Sequence, residues 1–164
     1  MTIVDHNKIC RLYHPEEVLL NGRSKQEYMD LIVDQIVKIL TNEPADIYAN
    51  ATYLPDIMQA DYDSLWTDAR INRVLDTLQR YHIALEINSR YKIPSLKIIH
   101  MAKARGLKFT FGTNNVDANF GKLEYAINII QKCGLTASDI WFPSMSIRRN
   151  RPIVDYNHFT TTQK

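Results

Sequence analysis

The stretch IALEINSRYKIPSLKIIHMAKARGLKFTFGTNN, residues 83–115, decides the fold. Ile83–Ile87 is a short, nearly continuous apolar run with β-branched residues, which predicts a buried strand. Ser95 then opens a helix marked by Ile98, Ile99 and Ala102, and Gly106 stands where a helix commonly ends in a left-handed residue. Leu107–Phe111 is a second strand, leading into a glycine turn with two adjacent asparagines. A strand, a helix and a strand joined by short links make a parallel, right-handed βαβ unit.

The same alternation extends outward. Ser24 with Glu27 forms a predicted capping box ahead of Tyr28, Leu31, Ile32, Ile36, Ile39 and Leu40, spaced as one face of a helix. Asp46–Ala49 reads as a buried strand, and residues 50–66, NATYLPDIMQADYDSLW, as a long polar and aromatic loop. Thr67 caps a helix carrying Ile71, Val74, Leu75 and Leu78. A last helix is expected from about Phe120 to Lys132, closed by Gly134. Thr2–Val4 reads as a first strand ending at Asp5-His6-Asn7, while residues 8–24 show no clear period.

The fold class is therefore α/β with parallel βα units, in which groups at the carboxyl ends of the strands gather at one rim. Those ends are Asp5-His6, Tyr48–Asn50, Glu86–Arg90 and Thr113–Asn115, and one polar cleft follows from them. Glu86 closes an apolar strand, where a carboxylate is costly unless paired or metal-bound. It reads as a metal ligand or general base, or as a structural partner of Arg90 or of a neighbouring strand end. Asp5 and His6 read as a base with its orienting partner, as metal ligands, or as a polar chain end. Asn50, Asn88, Asn114 and Asn115 each follow a strand. An asparagine there either binds a polar ligand or a hard cation, or suits a turn because it tolerates the left-handed conformation. Arg90-Tyr91-Lys92 offers a grip on an anionic group, or a solvated loop. No glycine-rich phosphate loop, GxSxG elbow or HExxH helix occurs.

The bulk properties set limits. At 164 residues with 45% hydrophobic content, the chain is long enough for one cored domain. A net charge of +2 gives no reason to invoke nucleic acid or a membrane surface. Cys10 and Cys133 lack disulfide-framework or zinc spacing. With no apolar run near the roughly 18 residues of a span and no signal-peptide pattern, a cytoplasmic location is the expectation.

Three stretches, DIYANATYLP (46–55), ALEINSRYKIP (84–94) and KFTFGTNN (108–115) with GKLEYAINIIQKCGLTASDIW (121–141), carry a resemblance. Together they resemble the later half of the PHP (polymerase and histidinol phosphatase) domain family, most closely a divergent group in which EIN-x-RY-x-IPS and FTFGTNN recur. The resemblance reaches from near the N-terminus to about Pro143. It implies a distorted, TIM-like βα barrel of the metal-dependent-hydrolase type, mostly phosphoesterases, with residues 1–143 a partial domain and 144–164 a basic, polar tail. Carried over residue by residue, it places Asn50 and Ala51 at the family's His-Pro turn. Asn114 and Val116 fall at its Asp-x-His metal pair. Glu86 matches the EIN pattern, and no HxH occurs.

The resemblance thus implies a phosphoesterase scaffold with degenerate metal ligands, for which Glu86, Asp5 and His6 are the remaining candidates should a divalent metal bind. Tyr48, Asn50, Asn88, Arg90, Asn114 and Asn115 would contact a polar or phosphorylated small molecule. The alternative is a non-catalytic binding or assembly module using the same cleft. Because a closed barrel typically takes about 250 residues, the chain is expected to be part of a barrel. A homo-oligomer, a missing N-terminal half-barrel or the segment 8–24 would then cover its open sheet.

Overall fold

The structure, a computed structural model, describes residues 2–5, 8–11, 22–116, 118 and 120–143, with residues 2–5 and 8–11 described as backbone. A hairpin comes first. Strands β1 (Thr2–Asp5) and β2 (Lys8–Arg11) pair antiparallel, Thr2 opposite Arg11 and Asp5 opposite Lys8. Helix α1 spans Lys25–Asn42, and β1 runs against it. Then follow β3 (Ile47–Tyr48), the single-turn helices α2 (Asp56–Gln59) and α3 (Tyr62–Leu65), α4 (Asp68–Tyr81), β4 (Ala84–Asn88), α5 (Leu96–Ala104), β5 (Phe109–Gly112), α6 (Glu124–Cys133) and a 3-10 turn, Ala137–Asp139.

Strands β3, β4 and β5 form a parallel sheet in chain order. At its far edge Ile140 bridges to Phe109, and the Trp141 N–H donates to the Phe109 carbonyl at 2.8 Å. The α/β class and the parallel βα arrangement are as expected. The first strand is a correction. It belongs to a separate two-stranded sheet, so Asp5 sits at a hairpin turn and not at the end of a parallel strand. The pairing is local, with only two residues between the paired ends, but the residues of β2 show no alternation to announce a strand.

The helices form where local signals ask for them. The Ser24 hydroxyl accepts from the Glu27 N–H at 3.2 Å, and the Glu27 carboxylate accepts from the Ser24 N–H at 2.8 Å, completing the capping box of α1. The Ser24 hydrogen bonds hold the Glu27 carboxyl below its ordinary value. The box is therefore fully formed above the unfolded glutamate pKa and weakens as pH falls through the lowered one. Thr67 caps α4, and His82 ends it in the left-handed conformation at φ 55°.

Strand residues alternate between faces. Leu85, Ile87 and Phe109 enter one hydrophobic core with Ile32 and Ile36 of α1, Ile71, Val74 and Leu78 of α4, Ile98 and Ile99 of α5, and Ala126 and Ile129 of α6. Ala84, Glu86 and Asn88 alternate onto the other face, beside Thr110 and Gly112 of β5. Helices α1, α4, α5 and α6 thus pack on the face of the sheet that carries Leu85, Ile87 and Phe109. Residues 50–66 also differ from the expected loop. Leu54, Met58, Leu65 and Trp66 are buried in the same core, and the Trp66 indole donates to the Thr52 carbonyl at 3.1 Å. Helices of a single turn are too short to show a period.

Arg70 fastens this segment to α1. Its guanidinium donates to Asp30 Oδ1 (2.8 Å), Gln26 Oε1 (2.6 Å), the Gln26 carbonyl (2.9 Å) and the Leu65 carbonyl (2.8 Å), at only 9% exposure. Arg70→Ala is expected to lower stability by about 2–3 kcal/mol, since four charge-assisted hydrogen bonds go, the one to the Leu65 carbonyl in a buried place. Arg70→Lys should recover little, because an ammonium lacks the planar fork. Urea denaturation reads both; an unchanged midpoint in Arg70→Ala would contradict this role.

Candidate functional site

The carboxyl ends of β3, β4 and β5 meet in one hydrogen-bonded rim. Glu86 and Asn88 lie two residues apart on β4 and so share a face. Their register partners on β5 are Thr110 and Gly112. Glu86, half-buried, reaches both neighbouring strands. One carboxylate oxygen, Oε2, accepts from the Asn50 backbone N–H at 2.5 Å, just beyond β3. The other lies over Gly112, where a Cβ would stand 1.9 Å from Oε1. Of the alternatives for Glu86, the contacts are those of a carboxylate held by a neighbouring strand end.

Asn88 is the hub, with 0% exposure. Its Oδ1 accepts from the backbone N–H groups of Arg90 and Tyr91, each at 3.1 Å. These two donors fix which way round the amide sits, since an NH₂ cannot accept from them. The Nδ2 group donates to Asn114 Oδ1 at 2.7 Å and Asn50 Oδ1 at 2.9 Å, with Glu86 Oε2 a third acceptor at 3.2 Å. Asn50, Asn114 and Asn115 adopt positive φ (49°, 58° and 27°), the left-handed conformation that asparagine tolerates in turns. Thr113 braces the last turn, donating to Asn115 Oδ1 at 2.5 Å and accepting from the Gly121 N–H at 3.0 Å.

Not every expected residue joins the rim. Tyr48 turns to the helical side, beside Trp66, Val74 and Leu85. The Arg90 guanidinium stands over the Tyr91 ring, 5.9 Å from its centre. Val116 is 69% exposed and apolar. His6, the Asp5 side chain and the tail 144–164 lie outside the described residues.

A divalent metal does not fit the rim as built. Three oxygens, from Asn50, Asn114 and Glu86, converge as a small cation would require, but the point of convergence is the Asn88 amide nitrogen. That amide cannot turn its oxygen inward without abandoning two backbone donors. The set contains one anionic ligand and no imidazole, whereas tight sites need deprotonated or imidazole donors. Among the described residues, no group of three or more His, Cys, Asp or Glu side chains is placed to hold a metal ion.

Beside the rim lies a cavity of about 240 Å³ between the segment after β3 and the loop after β4, lined by Tyr53, Leu54, Gln59, Tyr62, Tyr91, Lys92, Ile93 and Ser95. Tyr91 and Lys92 belong to the stretch read as an anion grip or a solvated loop, whereas Tyr53 and Tyr62 lie in the segment 50–66 expected to be a loop and carry no signal of their own. Tyr53 and Tyr91 meet edge to face, 4.9 Å between ring centres. The Tyr62 hydroxyl is bound to Thr52 Oγ1 at 2.5 Å, and burial pushes its pKa well above the usual phenol value. Tyr125, whose hydroxyl donates to the Pro94 carbonyl at 2.6 Å, is pushed up by burial to about 12. Both stay protonated across the physiological range.

The chain matches no family model, no curated protein and no solved structure.

Proposed function

We propose that this chain is a small-molecule-binding module on a PHP-like, metal-dependent-hydrolase-type scaffold. In this reading the strand-end rim holds the loops of a ligand pocket and carries out no metal-dependent hydrolysis. The observation that carries the reading is the Asn88 amide, whose NH₂ takes the position at which the rim oxygens converge. The same amide, through its oxygen, holds the backbone of Arg90 and Tyr91 and so shapes the loop that walls the cavity.

The competing reading keeps Glu86 as a metal ligand or base of a phosphoesterase. Elemental analysis of the purified chain, with p-nitrophenyl phosphate turnover in Mn²⁺, Zn²⁺ or Mg²⁺, separates the two. The expected result is substoichiometric metal and no divalent-dependent turnover. Stoichiometric metal together with turnover lost in Glu86→Gln would overturn the binding-module reading in favour of the hydrolase. Glu86→Gln itself should cost no more than about 1 kcal/mol, because a carboxamide oxygen still accepts from the Asn50 N–H.

A further inference from the structure

The cavity beside the rim has a composition that selects its ligand. Its walls are mostly phenol rings and aliphatic groups, and two of its polar side chains, Gln59 and Tyr62, are already engaged. The Gln59 amide donates to the Leu54 carbonyl and to Asp56 Oδ1, and the Tyr62 hydroxyl is held by Thr52. A sugar, with a hydroxyl on nearly every carbon, would leave several of its own groups unpaired there.

One lining residue carries a charge: Lys92, an exposed residue of the loop after β4. Lys92 adopts φ 55°, a conformation that L side chains seldom take, and it lines the cavity. Among the described residues, no hydrogen bond or ion pair engages its ammonium. Ser95, also in the lining, caps α5 without using its hydroxyl. A non-glycine residue held in a sparsely populated conformation beside a cavity is an observation that points to function. Here the holding group is identifiable, since Asn88 fixes the two residues just before Lys92.

We infer that this cavity binds a single-ring aromatic monocarboxylate. The ring packs against Tyr53 and Tyr91, whose edge-to-face pair leaves aromatic surface for a third ring. The carboxylate pairs with the Lys92 ammonium and accepts from the Ser95 hydroxyl. At about 240 Å³ the space suits one ring with a small substituent, being below the roughly 300–1,000 Å³ of pockets that take drug-sized ligands. This inference rests on the binding-module reading for its biological sense, but its chemistry stands on the cavity alone.

The test is saturation-transfer NMR and titration calorimetry on the full chain with benzoate and 4-hydroxybenzoate. Benzamide serves as the neutral probe and glucose 6-phosphate as the non-aromatic one. The expected result is binding of both carboxylates, with benzamide at least about tenfold weaker and glucose 6-phosphate not competing. Lys92→Gly, which suits the left-handed backbone, should weaken benzoate about tenfold or more and leave the melting temperature unchanged or raised. Tyr91→Phe should retain binding, and Tyr91→Leu should lose it. No carboxylate binding, equal binding of benzamide, displacement by glucose 6-phosphate, or full affinity in Lys92→Gly would each overturn the inference. Metal-dependent turnover alongside intact benzoate binding would instead overturn the binding-module reading and leave the pocket standing.

Discussion

Asn88→Asp is expected to be severely destabilised at neutral pH, by about 3–5 kcal/mol. The substitution keeps the oxygen that accepts from Arg90 and Tyr91, but sets a second oxygen where the Nδ2 group served Asn114, Asn50 and Glu86. Two good donors vanish, buried acceptors lose their partner, and a new charge faces the Glu86 carboxylate in a fully buried place. Against a total stability of roughly 5–15 kcal/mol, the loss is large.

The pH dependence has a definite sign. Burial and the Glu86 charge raise the folded pKa of the new carboxyl above its unfolded value of about 3.9. The unfolded state therefore releases a proton that the folded state keeps, and stability falls as pH rises from about 4 through the raised value. Thermal melts at pH 5 and pH 8 measure both the loss and its sign. A variant as stable as the parent at pH 8 would show that Asn88 is not the hub described.

Gly112→Ala should cost about 2–4 kcal/mol, although alanine ordinarily strengthens a strand relative to glycine. The added methyl carbon would lie 1.9 Å from Glu86 Oε1 and 2.7 Å from its Cδ, inside any tolerable contact. The carboxylate has to swing away, and the 2.5 Å bond from the Asn50 N–H goes with it. Since the contact involves only the end of the Glu86 side chain, shortening that side chain should relieve it. Glu86→Ser with Gly112→Ala is expected to be less destabilised than the two single changes summed, a coupling that a double-mutant cycle reads directly. Additive losses would mean that the glycine serves some other purpose.

These residues also show how far the sequence could be read. The helices α1, α4 and α5 were legible because Ser24, Thr67 and Ser95 stand as N-caps before correctly spaced apolar residues. Helix α6 was placed too early: Gly121 adopts φ 73° and the helix begins only at Glu124, after an N-cap, Leu123, with no side-chain cap. The three parallel strand ends were legible because each is a short apolar run closed by polar residues. Their hydrogen bonding was not. Whether an asparagine amide faces solvent, a ligand or another amide depends on strand register and on its neighbours' φ angles, and neither leaves a trace in a single position. Glu86 shows the same limit. Its main partner is a backbone N–H 36 residues away, and its need for space is recorded at Gly112.

Trp66 gives the protein an optical probe of its own. It is one of two tryptophans, sealed from water at 2% exposure, whereas Trp141 sits partly exposed at the sheet edge. Its indole bonds to Thr52, and the Thr52 hydroxyl bonds to Tyr62 in the cavity wall. Two hydrogen bonds therefore link the chromophore to the pocket. The blue-edge emission, which comes from the shielded indole, registers the state of that wall without any added dye.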